Sequence, residues 1–93
     1  MNAATYNELL VKIQQETEVT AEMHYCRAFK RLAKKVQELV TEENAASLLA
    51  GAKASGMMEN EHYEVEVAKQ GVSRMCGARI VLAMSVLKLV DYK

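Results

Sequence analysis

The sequence predicts an all-α protein, a compact bundle of three or four helices in a single domain spanning residues 1–93. Three observations lead there. The chain has no proline and only four glycines, so it lacks the turn chemistry that many short strands and tight hairpins require. Apolar residues recur at helical spacing along most of its length. Its composition, 51% hydrophobic and 26% charged, is that of a globular chain with one modest core rather than a disordered one.

The first helix is expected over residues 5–15, where Tyr6, Leu9, Leu10 and Ile13 share a face. The polar, β-branched run Glu16-Thr17-Glu18-Val19-Thr20 should break or bend it. Thr20 is then the candidate cap for a second helix over residues 21–40. That helix is sharply two-faced. Arg27, Lys30, Arg31, Lys34 and Lys35 fall on one arc about 140° wide at 100° per residue. Tyr25, Cys26, Phe29, Leu32, Ala33, Val36, Leu39 and Val40 fall on the other, which is therefore expected to face the core.

Thr41, followed by Glu42 and Glu43, has the character of a helix start. A hydroxyl can accept from an otherwise unpaired amide, and carboxylates suit the positive end of the helix dipole. The third helix, residues 42–54, is alanine-rich with Leu48 and Leu49 as its large apolar side chains, and Gly56 stands where a left-handed terminating residue belongs. A fourth helix is expected from Asn60 to Asp91, with a stripe through Tyr63, Val67, Gly71, Met75 and Ala78. Gly71 and Gly77 each cost about 1 kcal/mol relative to alanine in a helix, so they should mark tight packing or a kink.

Within Ile80–Val90 only Ser85 and Lys88 are polar. A helix apolar nearly all round is central in its domain or covered by a second subunit, so the chain is expected to form a homo-oligomer through its C-terminal helix. A short buried strand is the competing reading of this segment, and its Ala, Met and Leu content argues against it. Eleven residues are too few to span a bilayer, and no signal peptide is recognisable at the N-terminus. Cys26 and Cys76 lack the spacing of a metal or redox motif, and are expected to be buried thiols in a reducing compartment. These features predict a cytoplasmic protein with no membrane association.

The formal net charge is zero, but the charges come in blocks: −3 over residues 1–24, +4 over 25–40, −5 over 41–68 and +4 over 69–93. Local charge is what a partner meets first. A row of cations on one helix could track a nucleic-acid backbone. Against this, the total is neutral, and Tyr25 and Phe29 are assigned to the core, leaving no ring among the cations to stack on a base. The competing reading is a solvated face, or pairing with Glu59, Glu61, Glu64 and Glu66. A protein partner with an acidic surface lies between these readings and is the one expected, with Arg27, Lys30, Arg31, Lys34 and Lys35 as contact residues. Met57 and Met58, an apolar pair just beyond Gly56, are added either as a pliable contact surface or as a loop folded over the core.

No metal, cofactor or catalytic residue is assigned. Glu59 and His62 have the i, i+3 spacing of carboxylate-bridged di-iron bundles, but such a site needs that pair twice together with further glutamates. His24 has Ala21 at the matching position. There is no glycine-rich phosphate loop or nucleophile elbow, and Arg74 and Arg79 are better read as surface or salt-bridged cations. The expected function is a small non-enzymatic binding or regulatory protein acting on a macromolecule, in the manner of a phage- or plasmid-type inhibitor. A helical nucleic-acid-binding protein using residues 27–35 is the alternative, and a small helical enzyme with a site at a dimer interface is the third reading.

Overall fold

The computed structural model describes residues 4–56 and 74–91. These form four helices: α1 (Ala4–Thr17), α2 (Tyr25–Leu39), α3 (Ala45–Ser55) and α4 (Arg74–Leu89). The described residues contain no strand, and the segment from Ile80 is helical through Leu89. α1 and α4 each pack against all three other helices, and α4 makes its most extensive contact with α3. Around the bundle the order is α1, α2, α4, α3, with α1 and α4 meeting across the short diagonal. The radius of gyration is 12.3 Å, matching the roughly 12 Å of a compact chain of this length.

α1 buries Tyr6, Leu10, Ile13 and Thr17, one stripe at helical spacing. The helix does end at the polar run. Thr17 Oγ1 donates to the Ile13 carbonyl (2.6 Å), and Glu18 takes φ 55°, a left-handed turn that an L-residue adopts at a cost. Val19, directly after it, is fully buried. The turn therefore returns the chain to the core.

α2 begins at Tyr25, four residues later than expected. Its cap is His24 rather than Thr20: the His24 Nδ1 accepts from the Cys26 amide at 3.3 Å. Residues 21–24 form turns instead, because the chain leaving Val19 must reverse direction before a helix can run back along α1. α3 begins at Ala45 rather than at residue 42, after a turn over 42–44 that Thr41 helps to close. Thr41 Oγ1 accepts from the Asn44 amide (3.2 Å) while Asn44 Oδ1 accepts from the Thr41 amide (2.8 Å). This reciprocal pair has the bonding pattern of a capping box, closed here over the turn that precedes α3. Asn44 Nδ2 also donates to the Leu39 carbonyl (2.9 Å), so one side chain serves the end of α2 and the start of α3.

α3 buries Ala45, Leu48, Gly51 and Ala52, and α4 contributes Gly77 and Ala78 to the core. Small residues on both helices permit the close approach that their extensive contact reflects. Gly77 is buried, and Gly71 lies outside the described residues. Gly56 ends α3 with φ 72°, as expected of a left-handed terminator. α4 is the central helix. Val81, Leu82, Ala83, Ser85, Val86 and Leu87 are all buried, and its outward strip holds Cys76, Ile80, Met84 and Lys88.

Candidate partner-binding surface

The five cations of α2 form one arc in sequence, but the neighbours of α2 divide them. Arg31 Nη1 donates to the Thr17 carbonyl at 3.0 Å, meeting one of the carbonyls left unpaired at the C-terminus of α1. Lys35 Nζ lies 3.2 Å from Glu38 Oε2 and 3.3 Å from Glu16 Oε1. Hydrogen bonds that Lys35 donates to Glu38 and then to Glu16 hold its pKa above the ordinary value. These two side chains fasten α2 to α1. Arg27, Lys30 and Lys34 are exposed and make no ion pair among the described residues.

The inner pair borders a polar cleft between α1 and α2, lined by Glu16, Glu18 and Glu38 against Arg31, Lys34 and Lys35. Three carboxylates offset three cations there, so the cleft has little attraction for an anion. Part of the basic face is paired within the chain, with Glu16 and Glu38 rather than with the glutamates the sequence suggested. Glu59, Glu61, Glu64 and Glu66, together with Met57, Met58 and the Glu59–His62 pair, lie outside the described residues.

Two expectations, for the apolar arc of α2 and for the cysteines, are corrected. Tyr25 and Phe29 are not in the core: they are 49% and 43% exposed, with ring centroids 5.8 Å apart in a stacked arrangement. Cys26 and Cys76 are both exposed thiols and form no disulfide. The reason is geometric. Ala28, Leu32, Val36 and Val40, one residue in four, fill the seam against the bundle. The apolar arc is wider than the seam its neighbours cover, so Tyr25, Cys26 and Phe29 are left outside.

On the far side of α2 lies a groove of about 340 Å³ between α2 and α4. Its walls are Phe29, Ala33 and Val36 from α2 and Ile80, Ala83 and Met84 from α4. Arg79 also lines it, and its Nε–H is shielded from solvent with no hydrogen-bond partner among the described residues. Sequence reasoning placed Arg79 among ordinary surface arginines. Its single signal was a cation flanking an apolar helical run.

Of the apolar run at 80–90, the large side chains that remain exposed are Ile80 (41%), Met84 (38%) and Leu89 (45%). The rest complete the chain's own core, which reduces the surface left to a second copy. No group of three or more His, Cys, Asp or Glu side chains able to hold a metal ion occurs among the described residues. Nor is any helix among them long and apolar enough to cross a membrane. Comparison with protein-family models, with curated proteins and with solved structures finds no match for this chain.

Proposed function

We propose that this chain is a small non-enzymatic binding protein that regulates an acidic protein partner through the outer cations of α2. The observation that carries the reading is the division of the basic face. Arg31 and Lys35 are tied to α1, whereas Arg27, Lys30 and Lys34 project from the same helix and make no ion pair among the described residues. Unpaired cations beside an exposed apolar groove form a surface of mixed character, an apolar centre with a charged border, as protein interfaces have. Charges placed at such a border steer association more than they add affinity.

A second reading draws on the exposed Tyr25–Phe29 pair. Aromatic rings accessible beside lysine and arginine can stack on bases, and their exposure removes one objection to nucleic-acid binding. The protein reading is preferred because the groove is walled mainly by aliphatic side chains, which a phosphate backbone leaves unmatched.

Affinity capture with the tagged chain from its host, with and without nuclease, tests the proposal. The expected result is a protein complex that survives nuclease, forms more slowly as salt rises, and is lost in a Lys30→Glu/Lys34→Glu variant. A complex that vanishes on nuclease treatment, or a gel shift that persists at moderate salt with competitor DNA, would overturn it in favour of nucleic acid.

A further inference from the structure

We infer that the α2–α4 groove receives one face of an acidic amphipathic helix of the partner, about two to three turns long. The inference rests on the acidic-partner reading above and deepens it by naming the seat and the kind of segment that fills it. The length follows from the groove itself. Phe29 to Gln37, which line its α2 side, rise about 12 Å at 1.5 Å per residue. A partner helix laid along it presents residues at i, i+3 or i+4, and i+7, enough to cover Phe29, Ala33, Ile80 and Met84.

The charge of the occupant follows from the groove's border. Lys30 and Lys34 stand three residues from Ala33 and Gln37 respectively, which makes them neighbours on the surface of α2. Both are exposed and make no ion pair among the described residues, and Lys34 also lines the polar cleft towards α1. In the groove lining, the Arg79 Nε–H is already removed from water and has no acceptor among the described residues. A carboxylate entering the groove supplies that acceptor through a charge-assisted hydrogen bond, a favoured geometry for guanidinium. No carboxylate lines the groove among the described residues, which leaves that complement to the occupant.

The same cations disfavour a second copy of this chain. A two-fold contact sets each patch against itself, which would bring Arg79, Lys30 and Lys34 of one copy towards those of the other. Like charges so opposed weaken association.

The test uses the full chain labelled with ¹⁵N and two synthetic helical peptides of equal length. Both carry leucine at i, i+3 and i+7; their remaining positions are glutamate-rich in one and lysine-rich in the other. The glutamate peptide should bind, with amide shifts concentrated at 29–37 and 79–84. Its affinity should exceed that of the lysine peptide by about tenfold or more, the equivalent of one good ion pair. Ile80→Glu and Met84→Glu, both at exposed positions, should each abolish binding while leaving the thermal melt unchanged. Arg79→Gln should weaken it several-fold.

If Lys30→Glu/Lys34→Glu abolishes binding of the acidic peptide but Ile80→Glu and Met84→Glu do not, the groove assignment falls and the acidic-partner reading stands. If both peptides bind equally in the groove, the charge reading falls, and this inference falls with it. Failure of the acidic peptide to bind also overturns it. So does an oligonucleotide that shifts the same amides more strongly, or light scattering showing a dimer that Met84→Glu converts to a monomer.

Discussion

The Tyr6 hydroxyl donates to Ser85 Oγ at 2.6 Å, joining the first and last described helices across 79 positions of sequence. Ser85 Oγ in turn donates to the Val81 carbonyl at 2.7 Å. Both side chains are fully buried. The relay satisfies two hydroxyls inside an apolar core, where an unpaired one is costly.

The two ends of this relay should respond unequally to mutation. Tyr6→Phe removes the donor and leaves Ser85 still bonded to Val81, costing about 1 kcal/mol. Ser85→Ala strands the Tyr6 hydroxyl in the core, costing about 1–3 kcal/mol. The double variant should lose less than the sum of the two single losses. Urea denaturation of the three variants checks this, and additive losses would show that the two hydroxyls are not coupled.

Two left-handed residues give opposite predictions. Gly56 has φ 72°, and a Cβ built there would meet nothing within 4 Å. Gly56→Ala should therefore cost about 1–2 kcal/mol from backbone strain alone. Glu18 carries that strain already at φ 55°. Glu18→Gly should relieve it, with a net gain of roughly 0.5–1 kcal/mol once the unfolded-state entropy of glycine is counted. Thermal melts of both variants decide the point.

Histidine is a modest choice for the cap of α2, whose first turn contains no acidic residue. His24→Asp supplies a preferred capping oxygen and a negative charge at the positive end of the dipole. It should stabilise the fold by about 0.5–1 kcal/mol. A melting temperature that falls instead would mean that the His24 side chain contributes more than its 3.3 Å bond to the Cys26 amide.

The divided basic face predicts a divided mutational response. Lys30→Gln and Lys34→Gln should leave stability within about 0.5 kcal/mol of the parent, as surface changes without partners do. Arg31→Gln should cost about 1 kcal/mol or more, because its bond to the Thr17 carbonyl is charge-assisted and part-buried. Equal effects at the three positions in chemical denaturation would contradict the division.

Lys35 sets an alkaline limit. Its pKa is raised in the folded state by Glu38 and Glu16, so the charged form is favoured by folding. The stabilisation is fully present below the ordinary lysine value of 10.5 and fades as pH rises through the higher folded value. Relative to the parent, Lys35→Met should flatten the loss of stability above that pH and leave the profile at neutral pH parallel. Denaturation midpoints measured across the alkaline range check this.

Much of the secondary structure is legible in the chain because its causes are local. The absence of proline, the stripe of Tyr6, Leu10 and Ile13, the hydroxyl of Thr41 and the stop at Gly56 act within a turn or two of where they stand. Thr20 misled because a cap is chosen by where the chain must turn. That direction is set by the docking of Val19, which no capping rule contains. The candidate surface was half visible: the cations of α2 were plain, but the groove and Arg79 were not, since a groove exists only between two helices.

The sequence by itself determined that this protein is helical, roughly where its helices lie, and that one of them is basic along one face. Helical periodicity fixes the angle of each side chain about its own helix axis. It says nothing of which neighbour covers that angle. Only the tertiary structure decided that Phe29, Tyr25 and Cys26 stay outside while Ser85 is sealed within. It also decided that α1 claims Arg31 and Lys35 while Arg27, Lys30 and Lys34 are left to solvent. The physical reason is that burial and pairing belong to the distances between helices, and those are set by the packing of the whole chain.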